Sequence, residues 1–190
     1  MNMDFDKEVQ MAVGVLRRGG LILYPTDTIW GIGADATIPQ AIEQIYRLKR
    51  RSDSKSMLAL LADEYDLYKW LANVPEKAIE YVRGSTKPLT IIYDSPRGIA
   101  HNLLADDGSL GIRITLEKFS AAICSRLGHP IVSTSANISG QPAPAIFRDI
   151  SEEIIDGVDY TPFYRRDDET PRQPSGIIKL TDDGKVTVIR

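Results

Sequence analysis

The chain has 190 residues, of which 43% are hydrophobic and 26% charged, a composition typical of one folded domain or at most two small ones. Its formal net charge of −3 argues against a protein that coats nucleic acid by bulk charge, although a local basic patch remains open. Cys124 is the only cysteine, which excludes a disulfide within the chain and argues against a thiolate zinc site.

Hydrophobic periodicity predicts helices and strands that alternate along the chain. In chain order we predict a helix over 6–18, a strand over 21–24, a helix over 39–50, a strand over 57–61, helices over 63–72 and 75–83, strands over 89–93 and 110–115, a helix over 119–127, a strand over 131–134, a short helix over 150–155, and a closing pair of strands over 177–180 and 185–189. This alternation indicates an α/β fold. Several connections are too short for a parallel crossover helix, so we expect a mixed sheet.

Two features bear on the location of the protein and on its flexible parts. No apolar run approaches the roughly 20 residues of a membrane-spanning helix, and the acidic start does not resemble a signal peptide. We therefore expect a cytoplasmic protein that does not enter membranes. Residues 164–174 are rich in charge and carry two prolines, which predicts an exposed loop that is mobile in the absence of ligand.

Two of the predicted strands end in polar runs. Ser133-Thr-Ser-Ala-Asn137 follows a short apolar strand, and Thr26-Asp27-Thr28 follows the first strand of the chain. Polar side chains of this kind would cost roughly 1–3 kcal/mol each if they were buried without partners. Ligands of open α/β sheets bind beyond strand ends, so the two runs are candidates for one cleft. Alternatively, residues 24–28 form a turn whose Thr and Asp side chains hydrogen-bond the backbone of the turn itself.

A cluster of cations follows the predicted helix over 39–50. Lys49 continues the apolar stripe of that helix, which predicts a buried stem and an ammonium beside the core. Complementing the helix dipole would explain Lys49 and Arg50, but it does not explain Arg51 and Lys55 beyond the helix end. Clustered cations beside hydroxyl-rich loops suit a polyphosphate. The chain has no P-loop, and Gly31-Ile-Gly33 is too short for a dinucleotide fingerprint, so these glycines are interpreted as part of a strand or a turn.

Arg113 lies in the short predicted strand Gly111-Ile-Arg-Ile114. Strand alternation would place its side chain either in water or in the cleft, and the sequence leaves both open. In the cleft, its guanidinium would hold a carboxylate through two parallel hydrogen bonds.

Seven fragments, taken in order, resemble the YrdC-like family of threonylcarbamoyl-AMP synthases. They are the segments 24–31, 49–51, 88–90, 111–113, 133–140, 174–175 and 188–190. The family hallmark is a Lys-x-Arg followed by a Ser-x-Asn, which in this chain are Lys49, Arg51, Ser135 and Asn137.

The resemblance implies a single YrdC-like domain over residues 1–190, with a twisted open mixed sheet and flanking helices around a large positively charged cavity. It also implies a reaction in which L-threonine, bicarbonate and ATP give L-threonylcarbamoyladenylate, pyrophosphate and water. That intermediate supplies the t6A modification at position 37 of tRNA, through a separate transferase. Mg²⁺ is expected with the nucleotide, with no metal ligands from the protein, no permanently bound cofactor and no protein nucleophile.

The resemblance also assigns residues to parts of the site. The hallmark residues Lys49, Arg51, Ser135 and Asn137 would be catalytic. ATP would contact Arg51, Lys55, Ser109, Ser135, Ala143 through its backbone, and Arg190. Threonine would contact Thr28, Arg113, Ser133 and Ser175, with Arg113 on its carboxylate.

Two other functions of the same fold are considered. One is a paralogue that binds double-stranded RNA or tRNA without synthase activity, and the net charge and the intact Ser135-x-Asn137 both argue against it. The other is a carbamoyl-transfer module of the hydrogenase-maturation type, which normally belongs to a much longer chain. The sequence departs from the family at Leu60 and Gly176, next to the expected threonine site, and so leaves the choice of amino acid open.

Overall fold

The computed structural model describes residues 4–50, 57–170, 172 and 174–190. Its helices are α1 (Phe5–Arg17), α2 (Pro39–Leu48), α3 (Leu67–Trp70), α4 (Glu76–Gly84), α5 (Lys118–Leu127) and α6 (Glu152–Asp156). Its strands are β1 (Ile22–Tyr24), β2 (Gly31–Gly33), β3 (Leu58–Leu61), β4 (Leu89–Tyr93), β5 (Leu110–Ile114), β6 (Ile131–Ser135), β7 (Gly176–Leu180) and β8 (Val186–Val188). The helices and strands predicted from the sequence are confirmed within a few residues, except that the region 63–72 divides into a 3₁₀ turn and the short α3.

The helix ends follow from local chemistry. The Asp4 side chain accepts a hydrogen bond from the Asp6 N–H at the start of α1, and Glu117 does the same for Ser120 at the start of α5. The α5 helix ends at Gly128, whose φ of 73° lies in the left-handed region that glycine adopts without strain.

The strands form one mixed eight-stranded sheet in the order β1-β2-β6-β3-β5-β4-β7-β8. The β3–β5 and β4–β7 pairs are parallel, and the other neighbours are antiparallel. The expectation of a mixed α/β sheet is therefore confirmed. The Gly31-Ile-Gly33 segment, which the sequence left between strand and turn, is strand β2.

The two faces of the sheet pack against different helices. Ala59, Ile112 and Val132 point to one face, where they pack in a large core with α2. Leu60 and Ile131 point to the other face, where they pack with α1 and α5 in a second core. Alternation along each strand therefore places Arg113 and Ser133 on the face of the second core.

The loop after α6 is attached to α1 through a buried carboxylate. Glu8 is only 2% exposed, and it accepts the backbone N–H groups of Phe163 (2.5 Å) and Tyr164 (3.0 Å). The Tyr164 ring stacks on Phe119 of α5. The prediction of an exposed loop over 164–174 therefore fails at Tyr164, which is half-buried because it packs against the second core.

Candidate active site

A cavity of about 400 Å³ opens on the face of the second core, beyond the point where its large apolar side chains end. Small residues leave this space. Ser133 of β6 lies opposite Leu58 of β3, which lies opposite Gly111 of β5. A Cβ atom at Gly111 would lie only 3.2 Å from the methyl group of Thr90, so a side chain there would crowd the strand beside Arg113.

Many of the sequence-predicted site residues line this one cavity. They are Thr28, Arg113, Ser133, Ser135, Ala143, Ser175 and Arg190. They come from the β1–β2 turn, from strands β5 and β6, and from segments after β6, before β7 and at residue 190. The cavity also has lining residues to which the sequence analysis assigned no contact with a substrate, among them Trp30, Met57 and Leu58.

Arg113 is the buried cation of the cavity wall. It is 3% exposed, and its Nη2 lies 3.1 Å from Oδ1 of Asp27. The same nitrogen donates a long hydrogen bond of 3.4 Å to Oγ1 of Thr28. Burial lowers the pKa of the guanidinium from its ordinary value, while Asp27 and Tyr24 oppose that shift. The sequence left the orientation of Arg113 open, and the structure places it in the cleft.

The β1–β2 turn is held in shape by its own hydroxyl groups. Oγ1 of Thr26 donates to the Ile29 carbonyl (2.7 Å) and accepts the Thr28 N–H (3.1 Å). The two threonine hydroxyls also lie 3.0 Å apart. The alternative, a turn whose side chains hydrogen-bond its own backbone, is therefore correct for Thr26. The same turn also lines the cavity.

The opposite wall is formed near the end of the chain. The hydroxyl groups of Ser175 and Thr90 lie 3.0 Å apart and are buried. Nε of Arg190 donates to the Ser175 carbonyl at 3.2 Å, and the Arg190 side chain also lines the cavity. On this side, the guanidinium of Arg190 therefore lies next to Ser175, whose hydroxyl is paired with that of Thr90.

Lys49 lies behind the wall and is 2% exposed, as its helical phase predicts. Its Nζ donates to the carbonyls of Ser135 (2.5 Å) and Asn137 (2.6 Å). The Lys49 carbonyl in turn accepts the Ser139 N–H at 2.9 Å. Lys49 thus fastens the segment after β6 to the end of α2, and its contact with phosphate or carbamate stays a prediction.

Asn137 lies in the segment that Lys49 holds through these hydrogen bonds. Its Nδ2 donates to the carbonyls of Ile138 (3.0 Å) and Gln141 (2.7 Å), and its buried Oδ1 has no hydrogen-bond partner among the residues that the structure describes. Within the described part of the chain, it is Ser135 rather than Asn137 that reaches the cavity wall. The catalytic role predicted for this pair is not tested by these contacts.

The remaining predicted residues lie elsewhere or outside the described part. Ser109 is buried on the same side of β5 as Arg113, but its hydroxyl donates to Asp107 (2.5 Å) and it does not line the cavity. Arg51 and Lys55 fall in 51–56, outside the described residues. Leu60 packs in the second core.

The sequence analysis placed Asp27 in a polar run but assigned it no role of its own in the site. Its side chain is 7% exposed, and burial raises its pKa against the opposing effect of Arg113. Its place in the polar run after β1 was the available signal. The sequence could not indicate its partner, because Arg113 lies on a strand far along the chain.

Three further findings concern other kinds of site. Across 4–50, 57–170, 172 and 174–190, no three side chains of the metal-binding types gather closely enough to hold an ion. No helix in the described ranges is long and apolar enough to cross a membrane. Cys124 is a buried free thiol whose pKa is raised by burial, so it is a structural residue rather than a nucleophile.

Comparison with known proteins finds relatives both in sequence and in structure. A threonylcarbamoyl-AMP synthase of Stenotrophomonas maltophilia is 33% identical over 155 residues, which cover 77% of this chain and 82% of that protein. The E. coli YciO structure superposes with a TM-score of 0.82 at 24% identity, over 100% of this chain and 90% of that one. The P. abyssi Sua5 complex with L-threonine gives a TM-score of 0.82 at 22% identity, over 95% of this chain and 52% of that one.

The two structural matches are below 25% identity and so support the fold alone. This chain spans about half of the P. abyssi protein. A family model named for Sua5, YciO and YrdC, and described as "Telomere recombination", matches residues 14–190. With the match spanning nearly the whole sequence, the chain belongs to the Sua5/YciO/YrdC family.

Proposed function

We propose that this chain is an L-threonylcarbamoyladenylate synthase that uses L-threonine, bicarbonate and ATP. The observation that carries the proposal is the convergence of Thr28, Arg113, Ser133 and Ser175 with Ser135 and Arg190 around one cavity. A buried guanidinium surrounded by hydroxyl groups suits a small hydroxylated amino acid with a carboxylate. The relatives named as threonylcarbamoyl-AMP synthases support the same reaction.

The chemistry requires charge neutralisation and alignment more than covalent catalysis. The threonine amine combines with bicarbonate to give a carbamate and water. A carbamate oxygen then attacks the α-phosphorus of ATP, and pyrophosphate leaves. Both reacting groups are anionic, so cations and fixed hydrogen-bond donors lower the barrier by holding them together.

The residues divide these tasks. Arg113 binds the amino-acid carboxylate, and Thr28 and Ser133 bind the rest of the amino acid. Ser135, the Ala143 backbone and Arg190 bind the nucleotide. Lys49 places a buried positive charge behind Ser135 and fixes the turn that carries Ser135 and Asn137. By the family resemblance, Arg51 and Lys55 also bind the nucleotide, and the proposal therefore includes a positively charged site.

Several finer points belong to the same proposal. The protein acts as one domain in the cytoplasm, and Mg²⁺ enters on the phosphates of ATP, which supply oxygen ligands of the kind that this ion prefers. The product is passed to a separate transferase for the t6A modification of tRNA. Direct binding of tRNA or double-stranded RNA would be recognised by an affinity that falls steeply as the salt concentration rises.

The test is pyrophosphate release from ATP, measured with each reactant omitted in turn. We expect release that requires both threonine and bicarbonate, with serine and other amino acids used less well. Arg113→Gln should raise the KM for threonine strongly. Arg97→Gln should not, because Arg97 is an exposed arginine that donates to the backbone carbonyls of Tyr68 and Lys69. Release that ignores threonine would refute the proposal.

A further inference from the structure

The Asp27 carboxylate does not line the cavity, yet it touches the arginine that does. Its Oδ1 lies 3.1 Å from Nη2 of Arg113, and both side chains are more than nine-tenths buried. A buried ion pair contributes little to net stability because desolvation offsets most of the attraction. Its position directly behind a ligand-binding guanidinium therefore suggests a role beyond stability.

The contacts show which part of the guanidinium is occupied. Nη2 faces both Asp27 and the Thr28 hydroxyl, and these two residues are neighbours in the β1–β2 turn. In contrast, Nε of Arg113 is buried without a hydrogen-bond partner among the described residues. A guanidinium held at one nitrogen keeps N–H groups for a planar anion, which binds by two parallel hydrogen bonds.

The carboxylate also fixes the orientation of a long side chain. A free arginine loses considerable rotamer entropy when it binds a ligand, and a partner that restrains it beforehand reduces that loss. Among the groups that stabilise the Asp27 carboxylate, Arg113 acts most strongly, ahead of the backbone N–H groups of Asp27 and Leu116.

We propose that Asp27 is the positioning residue of the amino-acid subsite, which aims the Arg113 guanidinium at the substrate carboxylate. This inference rests on the proposed function. It separates Asp27, which acts through Arg113, from Thr28, which lines the cavity itself.

The test compares Asp27→Asn with Asp27→Glu and with Asp35→Asn as a matched control. Asp35 is another buried carboxylate, paired with His129 at 2.8 Å and absent from the cavity wall. For each variant we would measure KM and kcat for threonine, KM for ATP, and kcat/KM for L-threoninol, which lacks the carboxylate. The unfolding midpoint would be recorded for all three.

We expect Asp27→Asn to raise the KM for threonine by about tenfold or more, with a smaller change in kcat and in the KM for ATP. The preference for threonine over threoninol should shrink by a similar factor, and Asp27→Glu should restore part of it. Asp35→Asn should leave the preference unchanged. A structural role alone would lower the unfolding midpoint without changing the preference.

The inference is overturned if Asp27→Asn keeps both the threonine KM and the preference within twofold of the wild-type values, or if both KM values rise together. Failure of the proposed function looks different. In that case the wild-type protein itself shows no threonine-dependent reaction, and the role of Asp27 falls with it.

Discussion

Lys49→Met tests how the buried ammonium supports the site. The substitution keeps most of the apolar stem, but it removes the donor of the hydrogen bonds to the carbonyls of Ser135 and Asn137. A hydrogen bond from a charged group contributes about 1.5–3 kcal/mol. The Ser135 carbonyl still accepts the Asn137 N–H at 2.9 Å when the ammonium is removed. The substitution also removes the free-energy cost of burying the charged ammonium, and this offsets part of the lost stability.

We therefore expect Lys49→Met to lower the free energy of unfolding by about 3–5 kcal/mol. For a chain of this length, that corresponds to a fall in Tm of roughly 6–20 °C. Synthase activity should fall about 100-fold at temperatures where the variant is still folded, because Ser135 shifts with its turn. Urea unfolding and calorimetry measure the first effect, and pyrophosphate release measures the second.

The matched control is Lys69→Met. The Lys69 ammonium also donates to a backbone carbonyl, that of Gly128 at 2.7 Å, but it is exposed. Its loss should change stability by no more than about 0.5 kcal/mol. If Lys49→Met unfolds within about 0.5 kcal/mol of the wild type, the fastening role assigned to Lys49 is refuted.

Three further predictions concern buried groups. Glu8→Gln should lower the free energy of unfolding by about 1–3 kcal/mol in urea, because the neutral amide accepts two backbone N–H groups less well than the carboxylate; an unchanged midpoint would contradict the anchoring of the loop. Gly33→Ala should destabilise by about 1–3 kcal/mol, because its Cβ would lie 2.7 Å from the Tyr24 ring, and unchanged calorimetry would argue against that packing. The pKa of Asp27 is raised in the folded state, so ionisation costs more there than in the unfolded chain. The free energy of unfolding of the wild type, relative to that of Asp27→Asn, should therefore be highest at acid pH. It should fall as the pH rises from the ordinary pKa of the carboxyl through its raised pKa in the folded state. A relative free energy of unfolding that rises with pH over this window would contradict the prediction.

Much of the fold could be predicted from the sequence because apolar runs and helical stripes are local signals. Strand β4, for example, has the same limits in the sequence and in the structure. Strand β2 was ambiguous because two of its three residues are glycines, which carry no side chain to reveal a buried face.

The site was predictable in its lining but not in its supporting contacts. Thr28, Arg113, Ser133 and Ser175 were selected through the resemblance to the family, which rests on an ordered set of short fragments, and all four line the cavity. The pairing of Asp27 with Arg113 depends on which strands become neighbours. The phase of Lys49 predicted its burial, but its acceptors are backbone carbonyls whose positions depend on a distant turn.

The central claim is that this cavity joins threonine, bicarbonate and ATP in one product. The most direct measurement is the transfer of isotopically labelled bicarbonate into an adenylate, detected by mass spectrometry after a short incubation with threonine and ATP. We predict a labelled threonylcarbamoyl adenylate from the wild-type protein and little from Arg113→Gln. Label that enters no adenylate, while the folded protein binds ATP, would contradict the account.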